Sequence, residues 1–224
     1  MPPYSEAAYP GLKALFDLGN KRPPGYSSNV EIDGRPEGWS CTAKDGMVSC
    51  SVPGFGTFPS FPRPEGWPDT ISSESPNAHF YDEQVVAPPL GGLLQAIIDH
   101  PTPGTSRAAT PEGSYNDATP GRQGNDPRIA ASPVDSYVLP MPDTGRRVVM
   151  NVTRDGHVLW PGIVFRIVEK KPDGRVVVHN VGIGAGALQK PDTYTAAELK
   201  SIWPQQTRGL FEMLDRRTPT GEVE

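Results

Sequence analysis

The sequence predicts an α+β fold: a twisted antiparallel sheet formed mainly by the C-terminal half, a few short helices, and long Pro/Gly-rich loops. Three observations carry this. Valine-rich segments of strand length lie at 147–153, 162–170 and 175–183, and the last two flank Lys171–Gly174 (KPDG), a type I turn signal. Leu90, Leu93, Leu94, Ile97 and Ile98 recur at the spacing of an amphipathic helix. The 224 residues include 27 prolines and 24 glycines against 36% hydrophobic residues, which keeps regular elements short. The same composition excludes a coiled coil or helical repeat. No run approaches the roughly 20 apolar residues of a membrane-spanning helix.

Taken in order, residues 10–18 read as a short helix with Pro10 in its first turn and Gly19 after it. Residues 20–38 read as loop. The stretch WSCTAKDGMVSCSV centres on Asp45-Gly46, which favours a two-residue type I′ hairpin turn. Pairing Lys44 with Met47 then sets Cys41 opposite Cys50, at a cross-strand spacing near disulfide reach. The two either form a local disulfide, suited to an oxidising destination, or stay as surface thiols. Residues 52–76 are rich in proline and aromatics without a period, as in an extended wrap or linker. Residues 79–87 read as a strand and 90–99 as the amphipathic helix, ended by His100-Pro101. Residues 101–145 read as one long loop. A strand at 147–153 and the hairpin at 162–183 follow. Thr195 and Glu198 are spaced as a capping box for a helix from about 196 that breaks near Pro204 and resumes over 207–216. The expected organisation is an N-terminal region (1–76) holding the cysteine hairpin, a catalytic region (77–217) and a short tail (218–224).

Charge divides along the chain. Residues 1–145 carry 9 Lys/Arg against 17 Asp/Glu, whereas residues 146–217 carry 12 against 7. A basic half on an acidic protein points to an anionic partner such as nucleic acid, or to two halves that neutralise each other.

Four histidines are present: His79, His100, His157 and His179. None has metal-ligand spacing, so no metal and no cofactor are expected. The glycines of GIGAG at 182–186 are followed by Leu-Gln-Lys-Pro, which stops the helix that a dinucleotide site requires. His100 reads as a helix C-cap and His179 as structural, on a valine-rich strand. The densest candidate is NVTRDGHVLWPGIVFR at 151–166. It places His157 in a tight turn after a strand and Arg166 on the next strand. Imidazole suits proton transfer near neutral pH, and guanidinium suits a phosphate or a developing oxyanion. Counting back from a Lys171–Arg175 pair puts Arg166 opposite Asn180 and Ile167 opposite His179. His79, beside Tyr81 and Asp82 at the start of a strand, is the second acid/base candidate.

The run NVTxxGHxLxPGxVxR, followed by a hairpin, a G-x-G and Leu-Gln, resembles modules at the C-termini of large bacterial secreted proteins of the hemagglutinin-like and polymorphic-toxin types. HFYD at 79–82, PTPG at 101–104, ATPEG at 109–113, NDATP at 116–120 and SPVDSY at 132–137 are similar to the same modules. The resemblance covers roughly residues 77–205. It implies an antibacterial toxin or effector, and small toxin domains of the barnase and colicin type imply a metal-independent ribonuclease. In that reading His157 is the base, His79 the acid, and Arg166 stabilises the phosphorane. Thr153, Asn180, Tyr81 and Asn116 bind and position substrate. The implied partners are RNA and an acidic immunity protein. The opening MPPYSEAAYP has no basic or apolar signal region, so delivery as a free-standing effector is expected rather than export by a cleaved leader. Two other classes stay open. One is a cysteine-dependent cell-wall amidase with Cys41 as nucleophile and Asp155 or Asn180 orienting His157. The other is a non-enzymatic β-rich binding module using Phe55, Phe58, Phe61 and Trp67 as its contact surface.

Overall fold

The computed structural model describes residues 27–31, 37–87, 91–103, 107–118, 132–157, 159–186, 203 and 206–214. The helix expected at 10–18, the capping box at Thr195 and Glu198, and the tail lie outside the described residues.

Two antiparallel sheets dominate. The larger has seven strands in the order β1 (Ser27–Glu31), β7 (His79–Ala87), β12 (Val176–Gly184), β11 (Gly162–Lys170), β10 (Arg147–Thr153), β9 (Pro133–Pro140) and β8 (Ser114–Asp117). The smaller runs β4 (Gly56–Thr57), β3 (Met47–Val52), β2 (Ser40–Lys44) and β6 (Thr70–Ser72), with β5 (Phe61–Pro62) also pairing β3. Among the described residues helix is confined to α1 (Leu93–Asp99), to Trp203 and to α2 over 206–214. The fold is therefore largely sheet, not a balanced α+β mix, and strands form in the N-terminal third as well.

The strong turn signals set the register. Asp45 and Gly46 both take positive φ, and Cys41 pairs with Cys50 as their spacing requires. The two cysteines form a disulfide. That removes Cys41 as a nucleophile, because no thiolate is available. At the other hairpin Lys171 N–H donates to the Arg175 carbonyl, and Arg166 pairs with Asn180 and Ile167 with His179.

The segment expected as a single loop over 101–145 contains β8 and β9. Their pattern hides them: Asn116 and Ser136 are buried polar residues, so the alternation that marks a half-buried strand is missing. The aromatics of 52–68 also behave differently from the expected contact surface. Phe58, Phe61 and Trp67 are fully buried, and Phe55 is half-buried against the same core.

The large sheet is covered on both faces. One face packs on the small sheet, with Phe58 stacked on Phe165 (ring centroids 3.7 Å) and Trp39 edge-on to Phe80 (5.8 Å). Residues on either side of position 76 thus share one core. The opposite face receives Ile97 and Ile98 of α1 and Leu210 and Phe211 of α2, packed over Val85, Val149 and Val178. Covering on both sides explains why every residue of β12 is buried, His179 and Asn180 included, and why its other residues are valine, isoleucine and glycine. His179 is buried on that strand between two carboxylates. Its Nδ1 meets Asp82 (3.0 Å) and its Nε2 meets Glu169 (3.2 Å) on the small-sheet side, with the Phe55 ring edge-on. His100 caps α1, its N–H donating to the Ala96 carbonyl. No helix among the described residues is long and apolar enough to cross a membrane.

The Cys41–Cys50 bond closes a short loop, so it stabilises chiefly by restricting the unfolded chain. Reduction, or the Cys41→Ala/Cys50→Ala pair, is expected to cost about 2–3 kcal/mol of unfolding free energy. Urea melts with and without reductant check this. Coincident curves would contradict it.

Candidate functional site

The helix-side face of the large sheet is only half apolar. Beyond the valines under α1 and α2, the same face carries Tyr81, Glu83, Asn151, Thr153, Arg166 and Asn180, each on its strand at the period-2 spacing that selects one side. Buried polar groups must find partners, and here they do so mainly through one another.

Arg166 is 0% exposed. Its Nε donates to Asn180 Oδ1 (3.1 Å), Nη1 to the Pro101 carbonyl (3.3 Å) and Nη2 to Thr207 Oγ1 (3.1 Å). Its guanidinium lies 5.2 Å from the Trp203 ring centroid, in cation–π geometry. Asn180 in turn donates to the Glu83 carbonyl (3.2 Å). A second chain runs from Asn116 Nδ2 to Ser136 Oγ (2.9 Å), from Ser136 Oγ to Asn151 Oδ1 (2.9 Å), and from Asn151 Nδ2 to the same Pro101 carbonyl (2.8 Å). Pro101 therefore joins both networks.

Above them opens a pocket of about 590 Å³ including its mouth. Its polar lining comes from His79, Tyr81, Thr102, Asn151, Thr153 and His157. Val134, Leu159, Ile163, Val164, Ile183 and Trp203 supply most of its apolar wall. The turn that carries His157 is built by its own sequence. Thr153 Oγ1 donates to the Gly162 carbonyl (2.9 Å) and accepts the Gly162 N–H (2.8 Å), closing the base of the loop. Gly156 takes φ 87°, which a side chain would resist. His157 N–H donates to the Arg154 carbonyl (3.0 Å). Leu159 N–H then donates to His157 Nδ1 (2.9 Å). Asp155 stays in the exposed part of the turn, its Oδ1 accepting the Gly156 N–H.

His157 and His79, 78 positions apart, thus line one pocket with Tyr81 and Thr153. The His79 and Tyr81 rings stack at 6.1 Å between centroids. Tyr81 lies across its cross-strand partner Gly182, where a Cβ would fall on the phenol ring. Arg166 and Asn180 lie beneath this pocket and do not line it, because their side chains are consumed in the network. Asn116 sits one step further away, holding the backbone of Arg107 at both its N–H and its carbonyl. Cys41 and Cys50 are in the small sheet, on the opposite face of the large one.

Protonation follows from burial. Desolvation lowers His157 to about 4, so the ring is neutral at pH 7. With Nδ1 accepting from Leu159, the proton must sit on Nε2. His157 is then a hydrogen-bond donor toward the pocket and not the base that the sequence suggested. Burial, and then the charge of Glu83, push the Tyr81 hydroxyl well above its ordinary value, so it stays protonated. Glu83, 1% exposed, is lifted by burial to about 9 despite the attraction of Arg166 and Arg208. Burial also lowers Arg166, but a guanidinium remains charged at neutral pH.

Glu83, Thr102, Asn151, Ser136 and Trp203 were missed in the sequence reading. Two carried a signal: Asn151 opens the NVT run, and Glu83 follows Tyr81 at the spacing of one strand face. Among the described residues no three His, Cys, Asp or Glu side chains are placed to hold a metal ion. Comparison with family models, with curated proteins and with solved structures finds no match for this chain.

Because folding raises the proton affinity of Glu83, its contribution to stability is complete below about pH 4.5 and is lost as the pH rises through about 9. Glu83→Gln cannot ionise. Its thermal midpoint is expected to hold between pH 5 and 9 while that of the native chain falls. Parallel pH curves for the two would contradict this.

Proposed function

We propose that the chain is a secreted antibacterial effector whose pocket carries out metal-independent cleavage of RNA. The observation that carries this reading is the convergence of His79, Tyr81, Thr153 and His157, from two strands and one turn, in a single concave pocket. The basic balance of residues 146–217 suits a polyanionic substrate and an acidic immunity protein that covers it. The motif that resembles polymorphic-toxin modules builds the pocket's turn, which ties the resemblance to the site.

The roles differ from those the sequence suggested. His79 takes the proton of the ribose 2′-hydroxyl, whose oxygen attacks phosphorus. The P–O5′ bond breaks, water at the pocket mouth protonates the leaving oxygen, and a 2′,3′-cyclic phosphate remains. His157 Nε2–H and the Tyr81 hydroxyl donate to the charge that develops on the phosphorane. Thr153 holds the turn and Arg166 holds the strands beneath, both as positioning residues.

A second reading is favoured by the apolar wall of Val134, Leu159, Ile163, Val164 and Ile183. Such a lining also suits a binding module that performs no chemistry.

Total bacterial RNA incubated with the protein in EDTA separates the two. The native chain is expected to leave 2′,3′-cyclic ends, with His79→Ala slower by about 100-fold or more and His157→Ala also impaired. Intact RNA with the native chain would sink the ribonuclease reading and leave the binding module.

A further inference from the structure

Arg166 has an unusual electrostatic position. It is fully buried, yet no carboxylate oxygen among the described residues comes within 4 Å of it. Its contacts are a carbonyl, an amide, a hydroxyl and an indole ring. Glu83 is an acid on the same face and acts on Arg166 through its charge, but burial favours its protonated form and weakens it as a counter-charge. A buried charge without a counter-charge is costly, and chains that retain one generally supply the opposite charge from somewhere.

The polar lining of the pocket above points to the source. Tyr81 Oη already accepts the Trp203 indole N–H (3.0 Å), which frees its own O–H to donate elsewhere. His157 offers Nε2–H, because its Nδ1 is taken. Thr102 is 1% exposed, lines the pocket, and its hydroxyl has no hydrogen-bond partner among the described residues. Among the described residues no Asp, Glu, Lys or Arg lines the pocket. Three residues with a donor to offer therefore line the pocket, no acidic residue does so among those described, and a positive charge sits behind the Trp203 wall. Apolar walls exclude water and strengthen each of these interactions.

We propose that the pocket holds an oxyanion, received by the hydroxyls of Tyr81 and Thr102 and by His157 Nε2–H, with Arg166 as its counter-charge from below. In naming that oxyanion as phosphate, this inference rests on the RNA reading.

The test is calorimetric titration of the whole protein with three probes: inorganic phosphate, an uncleavable 2′-O-methyl dinucleoside monophosphate, and uridine. Phosphate and the dinucleotide are expected to bind and uridine to bind far more weakly. Thr102→Val and Tyr81→Phe, each checked for an unchanged fold by thermal melting, are expected to weaken phosphate by about tenfold, the worth of one hydrogen bond to a charged group. Uridine binding as well as phosphate, no phosphate binding at all, or equal phosphate affinity in both variants would each overturn the proposal. Phosphate binding without dinucleotide binding would support the oxyanion site and count against the RNA reading. RNA cleavage by a chain whose phosphate affinity ignores Thr102 and Tyr81 would do the reverse.

Discussion

The guanidinium of Arg166 joins segments that the chain keeps far apart. It leaves β11, reaches Asn180 on β12, the Pro101 carbonyl after α1 and Thr207 on α2, and carries Trp203 on its face. A charge at 0% exposure tolerates little movement, because each lost hydrogen bond leaves a desolvated donor. The helices are therefore placed on the sheet by direction as well as by apolar contact. Ile97, Ile98, Leu210 and Phe211 supply the burial, while Arg166 decides where along the strands the two helical segments come to rest. The pocket is the space left between that polar anchor and the ends of β7, β10, β11 and β12.

The NVTxxGHxLxPGxVxR run acquires a physical meaning in this arrangement. Asn151 joins β9 to the Pro101 carbonyl, and Thr153 locks Gly162 across the base of the turn. Gly156 supplies positive φ, and His157 is held through Nδ1 by a backbone N–H two residues on. Val164 lines the pocket, and Arg166 anchors it from below. The run is one strand–turn–strand unit, and the residues just named either shape the pocket wall or fix its orientation. Its histidine is presented in a single tautomer, which suits recognition of an acceptor better than abstraction of a proton.

Much of the local structure was legible because its determinants are local. Asp45-Gly46 and the KPDG turn set hairpin registers, and from those the Cys41–Cys50 and Arg166–Asn180 pairings follow by counting. The long-range choices were not legible. β8 and β9 escaped because Asn116 and Ser136 are buried as partners of Asn151, so polar residues stand where a strand pattern would show apolar ones. Phe58, Phe61 and Trp67 read as a surface arm because nothing within 52–68 reveals that a second sheet sits opposite Phe165. At the site, residue type named His79 and His157 and the toxin resemblance added Tyr81 and Thr153, and these four line the pocket, whereas Asn180 and Asn116 do not. It could not anticipate that Arg166 is sealed beneath them, that Glu83 keeps its proton, or that Thr102 enters from the segment after α1.

The central claim is that the pocket presents fixed donors, with His157 neutral and protonated on Nε2. Long-range proton–nitrogen NMR correlation of the histidine rings reports tautomer and charge directly. At pH 7 the His157 ring is expected to show a protonated Nε2 and an unprotonated Nδ1, a pattern that persists down to about pH 4–5. An imidazolium at pH 6, or a proton on Nδ1, would contradict the account of the turn and of the pocket it forms.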